Sequence, residues 1–319
     1  MHILITGITG LFGSHLSREF SHLGQIHGLR QANSNLDLVK DLEFEIIWHQ
    51  GELSDVDSLL EALQGIDLVI HAAGLVSFSP RDKESLYQVN SVGTANLVNA
   101  MLTTGVRQLV HVSSVAAIGR NPEMRVIDEE YKWTDSPHHT EYATSKYWAE
   151  LEAWRGEQEG LELIVVNPSI LLGKASYEKS STAIYSYVLE GNRFFPKGDI
   201  NYIDVRDAAI LTRLLVENQA WGERFILNNE SIPYREFFSE VAAVFGKKAP
   251  NLPLSSSLIA VAALVSSIGR LLRISKSPLN KHTAKLSQQK IRFDNSKIQK
   301  LLNFHYCSLR DSLEWAKLP

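Results

Sequence analysis

Thr6-Gly7-Ile8-Thr9-Gly10-Leu11-Phe12-Gly13 follows directly on the apolar run His2-Ile3-Leu4-Ile5 and leads into Leu16, Phe20 and Leu23 at helical spacing, with Gly24 as a stop. The pattern predicts a strand, a glycine turn and a helix. Each glycine has a separate task in such a turn. One permits the tight bend, one lets the backbone approach a pyrophosphate, and one lets the helix pack close to the strand. The helix N-terminus then presents unpaired N–H groups to an anion.

Outward from this turn, strands and helices alternate. Gln25 to Leu29 reads as the second strand, and Arg30 at its end is a cation where a ribose 2′-phosphate would lie; a carboxylate there would suit a free 2′-hydroxyl. This favours NADP and leaves NAD open. Ile46 to Trp48 is predicted as a third strand, with Glu52-Leu53 beyond it where an adenine would rest, and Val56 to Leu63 as a short amphipathic helix. Asp67 to Gly74 reads as a buried strand ending in Ala72, Ala73 and Gly74, small residues that leave room for a cofactor. His71 in that strand is expected to be a packed, hydrogen-bonded histidine rather than a catalytic base. Asp82 to Met101 is a long helical pattern containing Asn90. Gln108 to Val112 is a strand running into Ser113-Ser114, and Leu161 to Val166 another running into Asn167-Pro168-Ser169. Such alternation predicts a doubly wound parallel sheet with helices on both faces and its ligands at the strand C-termini.

Tyr142-Ala143-Thr144-Ser145-Lys146 supplies the candidate chemistry. Positions i and i+4 share a helix face, so the phenol and the ammonium are expected side by side. At ~4 Å and an effective dielectric of ~20 a unit charge is worth about 4 kcal/mol, enough to draw a phenol pKa from near ~10 towards neutrality. Tyr142 could then exchange a proton with a substrate.

The 319 residues, 44% of them apolar, allow a large core or two lobes. A formal net charge of −4 argues against nucleic acid or an anionic membrane as partner. Cys307 is the only cysteine, so no intrachain disulfide and no cysteine-based metal site can form. His138-His139 lies in a polar loop without an evident third ligand, and no metal is expected. Asp128-Glu129-Glu130 is expected to be a solvated acidic turn. The chain opens as a strand without a leader pattern, which suggests a cytoplasmic protein. The uncharged run Asn251 to Gly269 is read as a buried helix rather than a membrane span, because of its serines.

Together these stretches resemble the extended short-chain dehydrogenase/reductase family, the NAD-dependent epimerase/dehydratase superfamily. The matching residues are Thr6-Gly7-x-x-Gly10-x-x-Gly13, Asp67 through His71-Ala72-Ala73, Asn90-x-x-Gly93-Thr94, Ser113-Ser114, Tyr142-x-x-x-Lys146, Asn167-Pro168 and Tyr202 to Asp207. The resemblance implies that Tyr142 is the acid/base, that Lys146 lowers its pKa and holds the nicotinamide ribose, and that Ser114 polarises the substrate. It implies a cofactor-binding set of Thr6, Gly7, Thr9, Gly10, Leu11, Phe12, Gly13, Arg30, Glu52, Leu53, His71, Ala72, Ala73, Gly74, Asn90, Val112, Tyr142, Lys146, Asn167, Pro168 and Ser169, with Asn90 more a packing residue than a direct participant. It also implies a homodimer through the helices containing Asn90 and Tyr142.

Residues 1–168 plus about 204–229 are assigned to the cofactor domain, and about 169–203 plus 230–319 to a smaller, mainly helical lobe over a small-molecule substrate. Val76, Phe78, Ile118, Tyr185, Phe195 and Tyr202, with Ser114, are the candidate substrate contacts. Asn167 and Arg30 depart from the pattern of nucleotide-sugar epimerases and dehydratases. The chain is closer to the dihydroflavonol reductase-like and 3β-hydroxysteroid dehydrogenase-like branch. Reduction of a ketone or aldehyde is therefore the expected activity, with a nucleotide-sugar epimerase or dehydratase holding NAD as the alternative. A redox sensor without turnover is a second alternative, disfavoured because both Tyr142 and Lys146 are present.

Overall fold

A computed structural model describes residues 1–42, 44–121, 123–134, 136, 139–174, 183–254 and 286–317. The chain begins with β1 (His2–Thr6), α1 (Leu11–Phe20), β2 (Gln25–Arg30), β3 (Ile46–Gln50), α2 (Val56–Ala62) and β4 (Leu68–His71). A continuous helical run follows: α3 (Lys83–Leu86), a π-helical turn at Tyr87–Val92, and α4 (Gly93–Thr104). Then come β5 (Gln108–Val112), α5 (Val115–Ile118), β6 (Val126–Ile127), α6 (Glu141–Gln158) and β7 (Glu162–Pro168). The second part adds β8 (Ile170–Leu172), α7 (Ala183–Leu189), β9 (Phe194–Phe195), β10 (Asp199–Asp204), α8 (Val205–Glu217) and β11 (Glu223–Leu227). It closes with β12 (Glu230–Pro233), α9 (Tyr234–Phe245), β13 (Leu252–Pro253), β14 (Arg292–Phe293), α10 (Ser296–Leu302) and α11 (Leu309–Ala316).

Seven parallel strands form the central sheet in the order β11-β7-β5-β4-β1-β2-β3. The order reverses between β1 and β4, so the crevice beyond their C-terminal ends is where a ligand fits an open sheet of this kind. Both faces are covered, which explains why the strands read as unbroken apolar runs. Ile3, Ile5, Ile70, Val110 and Val166 face a core shared with α1 and α8, while Leu4, Val69, Leu109 and Val165 face α2, α4 and α6. Successive β1 residues Ile3, Leu4 and Ile5 are each fully buried.

A second sheet, β12-β10-β8, pairs β10 parallel to β8 and antiparallel to β12. With α7, α9 and α11 it encloses a separate core around Tyr185, Tyr202, Phe237, Phe238 and Leu313. The long helix predicted from Asp82 is present, but the sequence does not announce its π turn. The extra residue of such a turn re-aims the side chains on one face, and Asn90 lies within it. The predicted run Asn251 to Gly269 lies mostly outside the described residues. Among the described residues no helix is long and apolar enough to cross a membrane.

Candidate active site

The glycine turn is built as closely as its sequence demands. Gly7 has φ +70, and a Cβ there would lie 2.6 Å from Ala73 Cα on the neighbouring strand end. A Cβ on Gly13 would stand 2.1 Å from the Gly7 carbonyl oxygen, so α1 can approach β1 only with glycine at that position. Gly10 is exposed and no side chain caps the helix it opens. The first-turn amides at Leu11 and Phe12, with no acidic residue in that turn, suit an anion. Farther along the crevice two buried polar atoms, Asn167 Oδ1 and Ser169 Oγ, have no hydrogen-bond partner among the described residues. At Gly74 a Cβ would come within 3.3 Å of Asn90 Oδ1 and 3.9 Å of Lys146 Nζ, so glycine keeps this wall of the crevice free of a side chain, and the whole edge fits a dinucleotide.

His71 holds this edge together. Thr94 Oγ1 spends its proton on Asn90 O at 2.6 Å, so it accepts from His71 Nε2–H at 3.0 Å. A neutral ring then accepts at Nδ1 from Thr6 Oγ1 at 2.7 Å, and Thr6 accepts from Ala73 N–H. Burial first, and Lys146 second, push the His71 pKa down to about 3, which keeps the ring neutral. His71 is therefore a brace between β1, β4 and α4. Asn90 is a second brace. Its oxygen accepts from Leu75 N–H at 2.7 Å and its amide donates to Leu75 O and Ser145 Oγ, tying the segment after β4 to α6.

Ser114 ends β5's extension, caps α5 by accepting from Ala116 N–H, and stands close enough to Tyr142 to oppose the rise of its phenol pKa. Tyr142 and Lys146 stand one turn apart on α6, a helix opened by Thr140, whose hydroxyl accepts from Ala143 N–H. The expected depression of the phenol pKa by Lys146 is not what the side chains produce. Burial raises Tyr142, the Ser114 hydrogen bond opposes that rise, and Lys146 is not among the causes. Lys146 Nζ instead donates to Val112 O at 2.8 Å. Its own pKa falls to about 8 through burial, with Glu150 acting against the fall. Desolvation outweighs pairing here because both groups are crowded and the ammonium is directed at the strand rather than the phenol.

Glu150, one further turn along α6, carries a buried network that the sequence reading missed. Its Oε2 accepts from Ser113 Oγ at 2.6 Å and Asn167 Nδ2 at 2.8 Å; its Oε1 accepts from Arg224 Nη1 at 3.0 Å and Trp154 Nε1 at 3.4 Å. Asn167 Nδ2 also donates to Ser114 O at 3.0 Å. Ser113 and Asn167 thus support the segment that presents Ser114. The i+4 spacing from Lys146 was the available signal for Glu150; nothing local signalled Arg224. Glu129, expected in a solvated turn, is buried and accepts from Ile226 N–H at 2.9 Å, while its carbonyl accepts from Arg224.

Residues 3–225 match the NAD dependent epimerase/dehydratase family. The chain belongs to that family. A Synechocystis sp. protein carrying the name dihydroflavonol 4-reductase is 30% identical over 97% of this chain and 91% of its own length. Sterol demethylase protein B of Methylococcus capsulatus is 27% identical over 99% of this chain and 98% of its own. Among solved structures, gox2253 superposes with a TM-score of 0.84 at 29% identity, covering 98% of this chain and 96% of that one. As a member of the epimerase/dehydratase family the protein is an NAD(P)-dependent enzyme of the extended short-chain dehydrogenase/reductase class, acting on a small molecule.

The remaining candidates of this family member fall into two groups. Val76 and Phe78 are exposed on the segment after β4, and the Phe78 ring meets Tyr142 edge-on at 5.8 Å. Arg30 lies over the Trp48 ring at 5.0 Å; Glu52 is exposed and accepts from Gln31 and Ser54, with Leu53 half-buried behind it. Ile118 is buried, and Phe195 packs on the edge of the second core. Tyr185 and Tyr202, assigned to the pocket from sequence, are fully buried in that core, where Tyr202 donates to Glu230 at 3.0 Å. Their rings fill the space between α9 and β10, so packing accounts for them. His139 bonds Thr134 O and stacks on Trp133, while His138 lies outside the described residues. Among the described residues no cluster could hold a metal ion.

Proposed function

We propose that the protein reversibly reduces a ketone or aldehyde on a small, largely apolar molecule to the alcohol, using NADPH. The observation that carries this is Tyr142 at the ligand edge, with Ser114 near enough to act on its phenol and Lys146 on the same helix face. A bound nicotinamide supplies the hydride. Ser114 Oγ and Tyr142 Oη hold the carbonyl oxygen, and the phenol, kept neutral by burial, gives it the proton as negative charge develops there. Lys146, charged below about pH 8, offsets the phenolate that remains. Thr6, Gly7, Gly10 and the first amides of α1 hold the pyrophosphate, while Asn167 Oδ1 and Ser169 Oγ offer partners at the nicotinamide end. Arg30, without an ion pair among the described residues, supports NADP over NAD. The second core, with β8, β10 and β12, is the substrate lobe in this reading. Exposed Tyr87, Val89, Trp148 and Leu151 on the helical run and α6 support a homodimer, testable by analytical ultracentrifugation.

Tyr142→Phe tests the mechanism. Turnover should fall by at least ~10³-fold, since the proton donor is removed, while the dissociation constant for NADPH changes less than about two-fold. A variant that reduces carbonyls at the parental rate would refute it. Tightly retained NAD in the purified protein, with epimerisation of nucleotide sugars, would establish the competing activity instead.

A further inference from the structure

Trp48 on β3 stands beside Gly28 on β2 in the strand register. A Cβ on Gly28 would meet Trp48 Cζ3 at 2.8 Å, Trp48 Cε3 at 3.0 Å and Ile8 Cγ2 at 3.1 Å, so glycine is what lets the indole lie across β2. The ring is thereby set next to Ile8, inside the Gly7–Gly10 turn, and packs on the core shared with α1. Arg30 follows two residues along β2, on the same face as Gly28, and its guanidinium carbon is 5.0 Å from the indole centroid. Because Thr6 pairs with Leu29, Arg30 comes level with Gly7, at the ligand edge of the sheet. Both Trp48 and Arg30 are half-buried. A guanidinium offers its flat face to an aromatic ring, while its N–H donors lie in the plane and point outward along the edge. A carboxylate partner would occupy those donors and cancel the charge. An aromatic platform leaves both for a ligand. The Glu52 carboxylate, beyond the end of β3, accepts from Gln31 Nε2 at 3.0 Å and Ser54 Oγ at 2.7 Å, so each of its oxygens already has a donor.

Resting on the NADPH reading above, we infer that Trp48 is a positioning residue for cofactor choice: the indole, admitted by Gly28, holds the Arg30 guanidinium beside the glycine turn with its donor edge free for the ribose 2′-phosphate. That phosphate is one ribose away from the pyrophosphate the turn would take, which matches the placing of Arg30 next to Gly7. An arginine without a platform samples many rotamers and loses that freedom when the phosphate binds. On the indole the ordering is already complete in the free protein. NADH has no 2′-phosphate, so ordering Arg30 does nothing for it. Trp48 thus widens the difference between the two cofactors by acting through Arg30.

The test is a fluorescence titration of the full chain with NADPH and with NADH, which differ only in the 2′-phosphate. Trp48→Leu keeps an apolar side chain but removes the ring face. It should weaken NADPH by about five-fold, the cost of immobilising one long side chain on binding, and leave NADH within about two-fold, which also reports an intact fold. Trp48→Phe, which restores a smaller ring, should recover part of the loss. In the Arg30→Ala protein, adding Trp48→Leu should change the NADPH-to-NADH ratio by less than about two-fold, because the group it positions is gone. Equal weakening of both cofactors by Trp48→Leu, an unchanged ratio, or a five-fold effect that persists without Arg30 would overturn the inference. Parental protein that binds NADPH and NADH alike would overturn it together with the choice of NADPH. A ratio that depends on Trp48 and Arg30 in a protein that reduces no carbonyl would sink the reductase reading and keep the inference. Carbonyl reduction with NADPH preferred, but indifferent to Trp48, would do the reverse.

Discussion

Glu150→Gln removes a charge from the centre of the buried network while keeping its shape, and the cost can be worked through donor by donor. Oε1 faces Arg224 and Trp154, and Oε2 faces Ser113 and Asn167, so all four neighbours donate. A glutamine must turn its NH2 towards one pair. Towards Ser113 and Asn167 the loss is smaller, because the Ser113 hydroxyl can reverse and accept. The Asn167 amide then loses one acceptor in a buried setting, about 1–2 kcal/mol, and Arg224 exchanges a charged for a neutral acceptor, about 1–1.5 kcal/mol. The sum is about 2–3.5 kcal/mol of stability. With a urea m-value of about 3 kcal/mol/M, the unfolding midpoint should fall by about 1 M. Flipping Asn167 would satisfy the new amide but would turn its oxygen on Ser114 O, so kcat should fall as well. Loss of the Glu150 charge also removes what opposes the burial that has lowered the Lys146 pKa to about 8, so the basic limb of the pH–rate profile should move to lower pH. A midpoint within ~0.3 M of the parent and an unmoved basic limb would refute the reasoning.

Gly13→Ala places a Cβ 2.1 Å from the Gly7 carbonyl oxygen; the helix must shift, and calorimetry should show a loss of about 3 kcal/mol or more together with loss of NADPH binding. Arg30→Ala should weaken NADPH by about ten-fold and leave NADH within two-fold by fluorescence titration; equal effects on both would remove Arg30 from cofactor choice. Burial, aided by Arg18 and Lys146 respectively, lowers the pKa of His15 to about 4 and of His71 to about 3. Because both lie below the unfolded value near ~6.5, the unfolded chain takes up protons first, and this stabilisation is full above that pH and lost as pH falls towards 4 and then 3. Urea titrations at pH 7, 6 and 5 should show falling midpoints, and a rise on acidification would contradict it.

The glycine turn, the strand order of apolar runs and the Tyr142–Lys146 spacing were legible because each is written within one or two consecutive elements. A turn that needs Gly7 at positive φ, strands buried on both faces and a four-residue helical interval leave local marks. His71 was legible as a packed histidine for the same reason, since it stands in an apolar strand. The π turn at Tyr87–Val92 left no such mark, because one extra residue in a helix changes the facing of side chains without changing their type. Likewise Tyr185 and Tyr202 carry the same composition whether they line a pocket or fill a core.

By itself, then, the chain determined the doubly wound sheet, its ligand edge and a tyrosine and a lysine sharing a helix face. Tertiary structure decided which groups those side chains meet. Lys146 is directed at Val112 O rather than at the phenol, and Glu150 is joined to Arg224 from the far edge of the sheet. Helical periodicity fixes neighbours a few residues apart. Partners brought together by strand order, register and the packing of α9 depend on contacts distant in sequence, and desolvation at those contacts sets the charge states the chemistry uses.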